Sequence, residues 1–205
     1  MPSRATKIWP GDLLGKVLGL TGLVLIIFSS YLLVRIFNDP LKNEIKYAMH
    51  TKARADNLQP VNKDFSILIE KLGITSQVIA NVDAFDSKKY QLALSKGIAH
   101  AKGTKLPGEG GNIFLFAHSS TDLLTAERYN SVFYLIHHLD AGDTVDIWYQ
   151  GQQYKYEVKS KEFVSPGSTA PLTRIMPSET LTLMTCWPPG TTLSRLIVTA
   201  TAIQN

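Results

Sequence analysis

The sequence holds one cysteine, Cys186, among 205 residues. An internal disulfide is therefore excluded, and so is a structural zinc site built from several thiolates. Neither a His-Glu-x-x-His nor a Cys-x-x-Cys spacing occurs, so no metal site is expected. Charge is also sparse: Asp, Glu, Lys and Arg make up 19% of the chain and leave a formal net charge of +4, with the basic residues dispersed. There is no basic run interleaved with stacking aromatics and no helix-turn-helix or zinc-finger spacing, so nucleic acid is not an expected partner. A mild positive balance suits an anionic membrane or cell-wall surface. Internal repeats and low-complexity segments are absent as well.

What the chain does have is an uneven store of apolar residues. From position 17 to 34 runs VLGLTGLVLIIFSSYLLV, eighteen residues without a charge, bracketed by Lys16 and Arg35. At ~1.5 Å per residue such a helix spans ~27 Å, close to the hydrocarbon thickness of a bilayer. No small-x-small cleavage site follows it, which favours an uncleaved anchor over a removed signal peptide. The basic residues flanking the run (Arg4, Lys7 and Lys16 before it; Arg35, Lys42, Lys46, Lys52 and Arg54 after it) do not fix its orientation. Residues 1–16 read as a cytoplasmic tail, 17–37 as a single transmembrane signal-anchor helix, and 38–60 as a juxtamembrane helical stalk, with Asn38 or Asp39 as its cap and Pro40 as its first residue.

Beyond Pro60 the pattern changes to short β-type runs punctuated by Gly, Pro, Asn and Asp. Strands are expected over 65–71, 77–82, 112–118, 144–149, 153–163, 180–186 and 194–203, with Gly151-Gln152 as a hairpin turn and helical turns over 88–94 and 132–139. Seven or more strands between 61 and 205, without regular strand-helix alternation, predict a mostly β domain, either barrel or sandwich.

Two strand ends carry chemistry. Cys186 closes the run Leu181-Thr182-Leu183-Met184-Thr185 and precedes Trp187-Pro188-Pro189, which cannot continue a ladder. A lone external thiol is an oxidation liability unless it is used, so Cys186 is a candidate nucleophile; a buried apolar role is the alternative. His118 closes Ile113-Phe114-Leu115-Phe116-Ala117 and leads into the polar turn 119–122, so it too stands at a rim. It is the natural proton-transfer partner for a thiol. Arg195 lies nine positions after Cys186, where a strand returning beside the first would carry its guanidinium back towards the sulfur. His100 and the pair His137-His138 are assigned structural or solvated roles, and His50 a solvated place on the stalk.

Taken together, Thr182-Leu183-Met184-Thr185-Cys186 with Arg195 downstream resembles the T-L-x-T-C and arginine signature of the sortase family. The segment from Leu106-Pro107-Gly108 to Ala117-His118 and the later Ala141-Gly142-Asp143 are similar to the family in order and spacing. The likeness runs from Phe65 to the carboxyl end. Family members often have Gly before the histidine and Arg or another polar residue after it, where this chain has Ala117 and Ser119; that difference bears on subclass.

The resemblance implies a closed eight-stranded β-barrel held outside the cell membrane by a single-pass anchor. It implies a cysteine transpeptidase that cleaves a sorting signal similar to Leu-Pro-x-Thr-Gly. Cys186 would form a thioester, Arg195 would hold the oxyanion, and His118 would protonate the leaving amine and deprotonate the incoming one. Thr185, Ala117 and Trp187 are then the expected substrate-binding residues. The implied partners are surface proteins with a carboxyl-terminal signal of that kind, an amine acceptor such as a cell-wall precursor or pilin lysine, and the bilayer. No cofactor is expected. A calcium requirement is left open: it would need clustered carboxylates, and Glu109, Asp122, Glu127, Asp140 and Asp143 are too scattered in the sequence to decide it. A peptidase that gives the same acyl-enzyme to water, and a non-catalytic tethered binding barrel, are the alternatives.

Overall fold

The computed structural model describes residues 10–50, 58–119, 131–189 and 191–203, with side chains of 14–34, 44 and 45 in the first stretch. The polar turn after Ser119, together with Asp122, Glu127 and His50, falls outside the described residues and side chains. The chain divides into two units, residues 1–39 and 40–205.

Helix α1 spans Pro10–His50 as one element, so the separate start expected at Asn38 or Asp39 is replaced by a continuous helix. Within it Leu14–Val34 is 21 residues long, has a mean hydropathy of 2.4 and is not buried among the described residues. Leu14, Leu18, Leu20, Ile26, Ile27 and Val34 expose most of their surface. A helix apolar all round and unburied matches a bilayer rather than water as its surroundings.

The second unit contains a closed barrel. Its strands are β1 (Phe65–Ile69), β2 (Ile74–Val82), β3 (Ile98–Ala101), β4 (Asn112–Phe116), β5 (Thr144–Tyr149), β6 (Gln152–Val164), β7 (Thr180–Trp187) and β8 (Ser194–Ala202). They close in the order β1-β2-β3-β4-β7-β8-β6-β5. Pairs β2/β3 and β4/β7 are parallel and the others antiparallel. Two short helices, α2 (Ser87–Leu94) and α3 (Ala170–Thr173), lie in the connections.

Seven of the eight strands fall where the alternation and punctuation place them. β3 escaped because it has four residues, Ile98-Ala99-His100-Ala101, buried on both faces and thus without alternation. The hairpin between β5 and β6 turns on Gln150-Gly151, one residue earlier than expected. Both adopt positive φ, 50° and 83°, the backbone that suits a tight hairpin.

One core fills the barrel: Ile67, Ile69, Ile113, Leu115, Ile147, Leu181, Leu183 and Val198 are fully buried. Each such side chain contributes roughly 1.5–3 kcal/mol on leaving water. β4 is buried at every position, as befits a strand covered on both faces. β6 pairs with β5 through its first half and β8 through its second, with a bulge between Val158 and Ser160 where the ladder shifts.

Two polar devices hold the loops. Glu179, just before β7, accepts from the Tyr156 hydroxyl at 2.6 Å and from the Gly108 and Gly110 N–H groups at 3.0 and 3.2 Å, tying the β3–β4 loop to the barrel. His100 is fully buried: its Nδ1 accepts from the Asn81 N–H at 3.2 Å, so Nε2–H donates to the Lys105 carbonyl at 3.0 Å. Burial pushes this imidazole's pKa down, which keeps it neutral and structural.

Candidate active site

The barrel's register brings the three chemistry-bearing residues to one rim. β4 and β7 run parallel with Ile113 beside Leu181, Leu115 beside Leu183 and Phe116 beside Met184. The Ala117 N–H extends this pairing with a 3.2 Å bond to the Met184 carbonyl. His118 is the next residue, which sets it alongside the end of β7 where Cys186 lies. On the other flank β8 returns antiparallel, and Cys186 stands directly opposite Arg195. Side chains of directly opposed residues share a face at ~5 Å between Cβ atoms, so the guanidinium reaches the sulfur's side of the sheet.

All three side chains are half-buried. Desolvation pushes the Cys186 thiol's pKa up, and the positive field of Arg195 opposes that rise. The sulfur is therefore held at the edge of the core, with the cation opposite as the charge that draws out its thiolate. Arg195 also gives one donor, Nη1, to the Ser194 carbonyl at 3.3 Å.

Of the other expected site residues, Thr185 and Ala117 are buried, at 3% and 6% exposure. The Thr185 hydroxyl donates to the Ala117 carbonyl at 3.0 Å, a bond that fastens the His118 segment to the strand that carries Cys186. They shape the site from beneath. Trp187 is half-buried at the rim, its ring 5.6 Å from Phe163 and 5.0 Å from His137. Its carbonyl accepts from the Ser194 hydroxyl at 3.0 Å, which closes the β7–β8 connection.

One neighbour was not legible in the sequence. The Gln91 side-chain oxygen of α2 lies 3.2 Å from His118 Nε2 and accepts from that nitrogen when it carries a proton. Nothing in the sequence marks this glutamine, because α2 is an ordinary short helix, capped by Asp86 through the Lys88 and Lys89 N–H groups, and its approach to β4 is a tertiary fact.

A family model described as Sortase domain matches residues 67–203. Sortase D of Bacillus subtilis (strain 168) is 28% identical over 120 residues, 58% of this chain and 52% of that protein, so the match spans about half of the relative's length. Among solved structures, a lid mutant of Sortase A from Corynebacterium diphtheriae is 25% identical at a TM-score of 0.58, over 70% of this chain and 72% of that one. A Clostridium perfringens Sortase D5 transpeptidase is 25% identical at a TM-score of 0.56, over 80% of this chain and 94% of its own. With the family model covering most of the chain and the barrel matching these folds, the protein belongs to the sortase family.

Proposed function

We propose that the chain is a membrane-anchored cysteine transpeptidase, acting outside the cell membrane on surface proteins that carry a carboxyl-terminal Leu-Pro-x-Thr-Gly-like signal. The observation that carries this reading is the register: β7 stands between β4, which leads to His118, and β8, which places Arg195 opposite Cys186. Cys186 passes its proton to His118 and attacks the carbonyl of the signal's Thr. The carbon–nitrogen bond to Gly breaks, and His118 gives the departing amine its proton. Arg195 donates hydrogen bonds to the oxyanion of each tetrahedral intermediate; its planar, permanently charged fork suits that post. The resulting thioester is opened by an incoming amine, a wall precursor or a pilin lysine, which yields a proton to His118 and restores the thiol.

The chemistry asks for no cofactor, since nucleophile, proton carrier and oxyanion donor are all side chains. Trp187, exposed in part beside Cys186, offers an apolar face to the signal. The name of the Clostridium perfringens neighbour, a transpeptidase, favours amine over water as acceptor. The test is product analysis with a Leu-Pro-x-Thr-Gly peptide, with and without triglycine. An amide product that grows with triglycine supports the proposal. Hydrolysis alone, whichever amine is tried, would make the chain a peptidase. Absence of any cleavage across a peptide library would point to the non-catalytic barrel.

A further inference from the structure

A second cluster of titratable groups lies beyond the three residues of the candidate active site. The 3-10 helix Tyr134–His138 sets His137 and His138 side by side, their ring centroids 4.0 Å apart. Both turn Nε2 towards Glu44 of α1: His137 at 3.5 Å from Oε1 and His138 at 3.0 Å from Oε2. One ligand atom from each of the three lies within 4.8 Å of the others. For bonds of ~2.1 Å in a tetrahedral arrangement, neighbouring ligand atoms stand ~3.4 Å apart, and each imidazole lies at about that distance from one of the two Glu44 oxygens.

The surroundings prepare these groups for a cation. His137 Nδ1 is 2.9 Å from the Tyr134 carbonyl, a pure acceptor, so Nδ1 carries a proton and the lone pair of the neutral ring sits on Nε2. That lone pair faces the Glu44 carboxylate, acceptor against acceptor. A cation held between the ring nitrogen and the carboxylate would relieve the conflict. Lys161 is engaged by the His137 carbonyl at 2.9 Å and by Asp140 at 3.0 Å. The hydroxyl of Tyr134 bonds Glu44, so one residue orients two of the three groups. A histidine whose second nitrogen donates to a carbonyl, beside a carboxylate that is itself hydrogen-bonded, is the arrangement that holds metal ligands in place.

We propose that Glu44, His137 and His138 form a binding site for one divalent transition ion of the zinc class, which fastens this part of α1 to the barrel beside Trp187. Two imidazoles and one carboxylate suit zinc, copper or nickel, whereas calcium and magnesium prefer all-oxygen shells. Three protein ligands leave a fourth position for water. The sequence gives no hint of the site, because Glu44 and His138 are 94 residues apart and the pattern His-His alone is uninformative. The His137 ring is 5.0 Å from that of Trp187, so the ion would stiffen the rim next to the nucleophile without entering its chemistry.

The test uses the tag-free full chain in detergent, with Cys186→Ala throughout to remove the competing thiol. Calorimetric titration with Zn2+ should show one ion per chain at a Kd of about 10 µM or tighter. Glu44→Gln and His138→Gln should each weaken binding at least tenfold, with the melting temperature of the ion-free protein unchanged. Co2+, a paramagnetic stand-in, should quench tryptophan fluorescence in the parent and lose most of that effect in Trp187→Phe. Failure to bind Zn2+ at one equivalent, or binding that Glu44→Gln and His138→Gln leave intact, would overturn the site. So would Co2+ quenching that persists undiminished in Trp187→Phe. None of these readouts depends on turnover, so the site can fail while the transpeptidase reading stands.

Discussion

Cys186 carries opposed influences, and their balance is measurable. Desolvation raises its pKa and Arg195 lowers it, with desolvation the larger. The reactive thiolate should thus appear only above the ordinary cysteine range, since a raised pKa means the neutral thiol persists to higher pH. Alkylation of Cys186 by iodoacetamide, followed against pH, should show a midpoint above that range, and Arg195→Ala should move it higher still. A midpoint below the ordinary range, or one that Arg195→Ala lowers, would contradict the placement of the guanidinium opposite the sulfur. Gln91 makes a different claim at the same scale. If its side-chain oxygen fixes the His118 ring, Gln91→Ala should lower kcat about tenfold with KM and melting temperature little changed, because a misaligned proton carrier slows the chemical step. An unchanged kcat would make the contact incidental.

Elements in this fold are joined by a few polar groups at the edge of the core, and half-buried Glu179 is the plainest. It satisfies two loop N–H groups and the hydroxyl of Tyr156, a residue with no exposed surface. Removing it strands all three donors, so Glu179→Ala should cost about 2–4 kcal/mol in urea unfolding. Tyr156→Phe should then cost less in the Glu179→Ala background than it does alone, because the shared bond is already lost, and that difference is the coupling a double-mutant cycle reads. A loss under about 0.5 kcal/mol would show the network to be dispensable. Such cross-links also mark where sequence reasoning stops. The strands β1, β5, β6, β7 and β8 are legible because apolar runs of strand length, alternation in β6 and Gly/Pro punctuation are local signals. β3 is not, being short and buried on both faces, and neither is the reach of Glu179, Gln91 or Glu44, which depends on elements meeting in space. Cys186 and His118 stood out at strand ends and Arg195 by its spacing, but their convergence required the parallel register of β4 on β7, which no local pattern encodes.

On the scale of the whole molecule, the chain joins an apolar helix to a closed barrel, and the proposed function assigns location to the first and chemistry to the second. Every described residue of the barrel's buried core lies between Phe65 and Ala200. Because Cys186 is the single cysteine, it also reports topology. A membrane-impermeant maleimide applied to intact cells should label it, whereas labelling only after permeabilisation would place the barrel on the other side of the membrane from the one proposed. The convergence of sulfur, imidazole and guanidinium is the claim on which the function rests, and trapping the acyl-enzyme tests it most directly. Mass spectrometry of the full chain mixed with a Leu-Pro-x-Thr-Gly peptide, amine withheld, should find the acyl fragment on Cys186. Arg195→Ala should slow its formation roughly a hundredfold or more, as expected for loss of an oxyanion donor, and Cys186→Ala should abolish it. An adduct on another residue, or cleavage that survives Cys186→Ala, would contradict the account.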